Sequence, residues 1–301
     1  MLNAGVSAVV ATCSQAVSQT DQLGATIHAM RTSLTVLIAA LGLWSAMPSW
    51  ARETQDCDVP AVARALQKRL PTAFARAGQS GEVIDLVCKA HPEHKQLTIV
   101  ALFHDIKDEA GGYAPDQKGF VAAVVDTRRA IIKHLYQETL ELNPGIRITD
   151  TSLSIDTARY DLAPDVRAFG VRMDIGHSPK CADGGTSRYL TLLVPDGQGL
   201  RPVLKRQPLR VWTVAKWNLT DNIDACSIDT VSEADLVLTL GAGSRHGWRD
   251  LNVTARIQSR GPGQQDSGPR PSRKKTVTTL HYDGERYPGN LGPMASKLLR
   301  P

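Results

Sequence analysis

The sequence predicts a mainly β protein: three four-stranded antiparallel meander units with one N-terminal helix. Three observations carry this reading. From residue 82 onward, short runs rich in Val, Ile, Leu and Thr are separated by Gly, Pro, Asp and Asn, the punctuation of strands and turns. An acidic tight turn stands at Asp126-Thr127, Asp196-Gly197 and Asp283-Gly284, each before the last run of a unit, and Asp-Gly between apolar runs favours a hairpin because Gly tolerates a positive φ. Helical spacing, by contrast, is convincing at one place beyond residue 51.

Taken in order, the chain opens with residues 1–29, which hold one formal charge, Asp21, and no sustained amphipathic stripe. Translation from Met30 is the expected reading, leaving 1–29 as an untranslated or disordered extension. Residues 30–51 read as a secretory signal peptide. Arg31 precedes the apolar run Leu34–Trp44, shorter than the roughly 20 residues a membrane-spanning helix needs, and Ser49-Trp50-Ala51 places small residues where a signal peptidase inspects them. The mature chain then starts at Arg52, in the periplasm or outside the cell, with no stable membrane anchor. Cys13 lacks the flanking residues of a lipid-modified cysteine.

Four cysteines remain after that cleavage: Cys57, Cys88, Cys181 and Cys226. An even count in an exported chain predicts two disulfides. The expected pairs are Cys57 with Cys88 and Cys181 with Cys226, because each closes a short loop of the size that gains about 3–4 kcal/mol in the chain-entropy model. A metal site is the competing reading, but there is no Cys-x-x-Cys, and His177-x-x-x-Cys181 stands alone. No metal or cofactor is expected.

The helix is predicted over residues 59–70. Asp58 offers the capping oxygen, and Pro60 sits where its missing N–H costs nothing. Val59, Val62, Leu66 and Leu70 share one face before Pro71 ends the pattern. The first unit comprises 82–90, 96–106, 120–125 and 130–136; the second 152–162, 166–175, 189–194 and 200–204; the third 235–240, 250–258, 276–282 and a short tail with Tyr287. Residues 207–230 are assigned to no unit. Three units are fewer than the four or more blades of a closed propeller, so an incomplete propeller-like set or a β-sandwich is expected.

The run His246-Gly247-Trp248-Arg249-Asp250-Leu251-Asn252-Val253, followed by Thr279-Leu280-His281-Tyr282-Asp283-Gly284-Glu285-Arg286-Tyr287, resembles uncharacterised exported bacterial proteins with hairpins like those of integrin-type β-propeller repeats. The resemblance covers one unit well and the other two loosely. It implies a β-hairpin architecture; calcium-binding repeats of that group carry closely spaced aspartates, and this chain has no Asp-x-Asp-x-Asp run.

The net charge is +5, and most of it lies in one stretch. Residues 259–275 carry Arg260, Arg270, Arg273, Lys274 and Lys275 against Asp266, among Gly, Pro, Gln and Ser, and are expected to be a disordered basic loop. The remainder is near neutral and lacks a basic face interleaved with aromatics, which excludes a nucleic-acid-binding domain.

No catalytic constellation emerges. Gly243-Ser244-Arg245-His246-Gly247 does not match Gly-x-Ser-x-Gly and falls between strands rather than at a strand-to-helix elbow. Asp126, Asp196 and Asp283 are explained by turn hydrogen bonding, and Asp156 by turn initiation. His91-Pro92-Glu93-His94 reads as a solvated turn. The loop from His177 to Gly185, with Lys180 and Asp183, is polar and tied by the expected Cys181–Cys226 bridge, and loops fixed to a rigid scaffold favour function. Trp212 and Trp217 offer a stacking platform or a protein anchor; Trp248 is assigned to the core. The candidate binding surface is therefore His177, Lys180, Asp183, Trp212 and Trp217. The expected function is a non-enzymatic periplasmic or secreted binding protein whose partner is a protein or an envelope polymer, with an inhibitor or immunity-type protein for an envelope-targeting enzyme as one form of it. The alternative is an envelope hydrolase acting on glycan or peptide.

Overall fold

A computed structural model describes residues 58–70, 83–107, 111–177, 182–218, 227–260 and 274–289. The chain divides into Met1–Arg52 and Glu53–Pro301, and every described residue belongs to the second unit. The expected extension 1–29, signal peptide 30–51, Cys57, Lys180, Cys181, Cys226 and most of the basic loop lie outside the described residues.

The helix α1 covers Val59–Arg69, and the Ala61 N–H donates to Asp58 Oδ1 at 2.9 Å, the cap read from the sequence. Eleven strands follow: β1 Val83–Ala90, β2 Leu97–Lys107, β3 Tyr113–Asp126, β4 Ile131–Glu141, β5 Leu153–Ala163, β6 Val166–Asp174, β7 Gly184–Asp196, β8 Gly199–Asn218, β9 Ser227–Arg245, β10 Trp248–Arg260 and β11 Lys274–Leu280. The protein is mainly β with one N-terminal helix. The strands β1-β2-β3-β4 form one antiparallel meander and β5-β6-β7-β8 a second. A parallel contact, Leu135 beside Gly199, joins β4 to β8.

The third unit differs from its expectation in two ways. Residues 207–230 are not an orphan segment: where described, they form the second half of β8 and the start of β9, which pair antiparallel from Arg210–Asp235 to Asn218–Ser227. The third unit thus grows directly out of β8 as β9-β10-β11, and no fourth strand follows among the described residues. All described strands join in one large, mostly antiparallel open sheet, and no propeller is present among them.

Burial explains the sequence pattern. Ile99 to Phe103 and Phe120 to Val125 are buried without interruption, because both faces of the first meander are covered. Val100, Leu102, Val121 and Ala123 pack with Val62, Ala65 and Leu66 of α1. The opposite side chains, Ile99, Phe103, Phe120 and Val124, pack with Phe169, Val171, Met173 and Leu193 of the second meander. The other face of that second meander, including Leu162, Leu190 and Leu192, meets Leu236, Leu251, Val253 and Leu280 of β9-β11. Among the described residues β9-β11 has an open face, with Val237 and Val277 flanking Thr254 across the strands.

Several polar ties join the two meanders, two of them at β1 and the turn that follows it. Leu153 N–H at the start of β5 donates to the buried Asp85 Oδ2 in β1 at 2.7 Å, and Arg167 meets Glu93 at 2.8 Å. Cys88 is buried on the α1 side of β1 and is disulfide-bonded, its partner lying outside the described residues. Among the described residues no helix is long and apolar enough to cross a membrane.

Candidate binding cleft

Antiparallel strands return the chain to the same end at every second turn. The turns after β1, β3, β5 and β7 therefore gather at one end of the two meanders, as the pairs Leu97–Asp126, Asp126–Ile131, Ala163–Val166 and Asp196–Gly199 place them. Between these turns lies a cleft of about 570 Å³. Its apolar floor is Leu97, Val124, Phe169 and Pro195, and its polar rim carries His91, His94 and His134 from the first meander with Arg159, Asp161 and Arg167 from the second.

The rim is ordered by hydrogen bonds. The Glu93 N–H donates to His91 Nδ1 at 3.2 Å, which leaves the neutral ring its proton on Nε2. His94 stacks on His91 with centroids 4.9 Å apart. His134 Nδ1 lies 2.9 Å from the Gly197 carbonyl; a carbonyl only accepts, so Nδ1 carries the hydrogen and Nε2 remains for a ligand. Arg167 donates through Nη1 to Glu93 and through Nη2 to the Thr157 carbonyl at 3.2 Å. Arg159 faces Asp161 at 3.4 Å.

These neighbours set the charges. Burial pushes the His91 pKa below its ordinary value, and His94 and Arg167 push the same way while Glu93 opposes them. The hydrogen bond from Arg167 holds the Glu93 carboxyl below its usual range. A general acid needs the reverse, a carboxyl kept protonated. Arginine donors, imidazoles and an apolar floor suit instead the holding of a polar ligand with carboxylate, phosphate or hydroxyl groups.

The surface read from the sequence lies at the other end. There Asp183, just before β7, is tied to β8: its carbonyl accepts from Val214 N–H at 2.7 Å and from Thr213 Oγ1 at 3.0 Å, and Trp212 pairs with Gly185. Gly185 lies close beside the indole: a Cβ there would stand 3.0 Å from Trp212 Nε1, so the ring would have to shift. His177 is tied elsewhere, to the connection between β4 and β5, by its N–H to the Gly145 carbonyl at 2.8 Å and by Arg147 Nη2 at 3.2 Å from its Nε2. Trp217 belongs to β8 opposite Ile228; its side chain and Lys180 lie outside the described residues.

His91–His94 is a turn between β1 and β2 with Pro92, Glu93 and His94 exposed, and it lines the same cleft as Arg167 and Phe169 of the second meander. No local motif announces His134, Arg159 or Arg167; the one signal is the charge density of Arg159, Asp161, Asp165 and Arg167 around a two-residue turn. Ser244 lies within the β9–β10 ladder opposite Arg249, and the turn is His246-Gly247, both at positive φ. It is not an exposed nucleophile elbow. Trp248 is core-packed, stacked on Tyr282 at 4.3 Å. Asp156, read as a turn residue, does accept from the Ala158 N–H but also binds Tyr160 and Arg172. Among the described residues no group of three or more His, Cys, Asp or Glu is arranged to hold a metal ion.

No protein-family model, curated protein or solved structure matches the chain.

Proposed function

We propose that the mature chain is a non-enzymatic, exported binding protein that holds its partner, a protein segment or an envelope polymer, in the turn-end cleft. The observation that carries this reading is the rim itself: arginines and imidazoles presented by hairpin turns on a rigid two-layer scaffold, with Glu93 kept ionised by Arg167. An inhibitor or immunity-type role is the form in which the partner is an envelope-targeting enzyme.

Export through residues 30–51 and the pairs Cys57–Cys88 and Cys181–Cys226 belong to the same proposal. Cys57 directly precedes the Asp58 cap of α1, and α1 packs on the face of β1 that carries Cys88. The proposed kinship with exported proteins bearing integrin-type propeller hairpins draws on the two-residue β9–β10 turn and on the Asp283 turn, whose Oδ1 accepts from the Glu285 and Arg286 N–H groups.

One observation favours the alternative, an envelope hydrolase. His281 Nδ1 meets the buried Asp250 Oδ1 at 2.8 Å, the pairing that orients an imidazole for proton transfer. Hydrogen exchange of the oxidised mature protein, with and without envelope extract, separates these readings. Protection at 91–97, 159–167 and 195–198 supports binding in the cleft; protection confined to the neighbourhood of Asp250 and His281, or none, contradicts it.

A further inference from the structure

We propose that a second site, the groove between α1 and the β3–β4 hairpin, binds an anionic amphiphile: a phosphate-bearing head on its cations and one acyl chain along its floor. The groove has a volume of about 400 Å³. Lys68 and Arg69 form one wall, from the last turn of α1, and Lys133 of β4 forms the other. The floor is apolar, built from Ile131, Ile132 and Leu135.

Three features set this groove apart. First, its cations have no acidic partners. Among the described residues Lys68, Arg69 and Lys133 stand in no ion pair, nor do Arg128 and Arg129 on the adjoining turn. Asp126, at the end of β3, is buried and accepts the Arg129 N–H at 3.1 Å. The helix dipole accounts for Lys68 and Arg69 but not for cations on the opposite wall.

Second, the backbone is bent to make the floor. The ladder pairs Val124 with His134 and Val125 with Ile132, so Lys133 is a bulged residue. The bulge turns Ile132 and Leu135 to the same, α1-facing side, while His134 reaches the cleft on the other face. Bulges re-aim side chains in this way and recur beside functional sites. Ala130, just before, holds a φ of 49°, which a non-glycine residue adopts at a cost.

Third, apolar surface is left uncovered between the charges: Ile131 is 39% exposed. An unpaired basic rim over such a floor complements a ligand that is anionic at one end and apolar at the other. A phosphate-bearing lysolipid free in solution and the same headgroup in a bilayer share that chemistry.

Calorimetry on the mature protein tests the site with lysophosphatidylglycerol below its micellar concentration, lysophosphatidylcholine, inorganic phosphate and polyphosphate as probes. Lysophosphatidylglycerol should bind at least tenfold more tightly than the other three. The variant Lys68→Gln/Arg69→Gln/Lys133→Gln and the single variant Ile131→Asp should each lose at least tenfold; all four positions are exposed, and an unchanged melting temperature verifies the fold. Sedimentation with phosphatidylglycerol vesicles identifies the source: co-sedimentation weakened by Ile131→Asp assigns the headgroup to a bilayer, and its absence beside monomer binding assigns a free amphiphile. The proposal is overturned if lysophosphatidylglycerol does not bind, if phosphate or polyphosphate binds as tightly, or if both variants bind unchanged. The site is separate from the turn-end cleft, so its failure leaves that reading standing.

Discussion

The two ends of the paired meanders differ in how their candidate sites are made. At the loop end, Trp212, Asp183 and His177 are conspicuous residue types in neighbouring stretches of chain, but His177 is tied to the β4–β5 connection by Gly145 and Arg147. At the turn end, ordinary residues from distant segments meet: His91, His134 and Arg167 share one cleft because four turns return to the same place. A site made of rare residues can be guessed locally, whereas a site made by strand direction exists only once the topology is known.

The largest effect comes from removing what both ends share. Phe120 is fully buried between the meanders, 5.4 Å from the Phe103 ring, and Phe120→Ala should cost about 3–5 kcal/mol. Calorimetry should show one lowered transition; two separate transitions would show that the ends melt independently. The expected disulfide at Cys88 comes next. Cys88→Ala should cost about 2–4 kcal/mol, and mass mapping of the non-reduced protein should join the Cys57 and Cys88 peptides. A Cys88 peptide joined elsewhere would break the proposed framework.

Much of the fold was legible because its pattern is local. The Asp58 cap and Pro60 fixed the start of α1, and the apolar runs of β2 and β3, bounded by turn residues, marked them as strands. The second half of β8 was not, for a physical reason. The β7–β8 register shifts at four places, between Thr186 and Leu193, and Arg206 sits at positive φ, so side-chain alternation with a period of two is repeatedly reset. The cleft was hidden differently: His134 and Arg167 lie more than thirty positions apart in the chain, and the packing of the two meanders brings their strands together.

A smaller effect concerns pH. The His91 pKa is lowered on folding, so the unfolded chain binds the extra proton more readily, and stability should fall as pH drops from about 6.5 through the lowered value. Glu93, also lowered, adds a second loss below its ordinary 4.5. The drop in melting temperature between pH 7.5 and 5.5 should shrink in His91→Gln; an identical drop would place the titration elsewhere.

The central claim, that the partner is held at the turn end, is tested most directly by comparing two immobilised variants against envelope extract. Arg167→Ala/His134→Ala removes polar groups from the cleft, and Trp212→Ala alters the loop end. The account predicts that a component retained by the wild-type chain is lost at least tenfold by the first variant and kept within about twofold by the second. Retention by the first variant with loss by the second would contradict it.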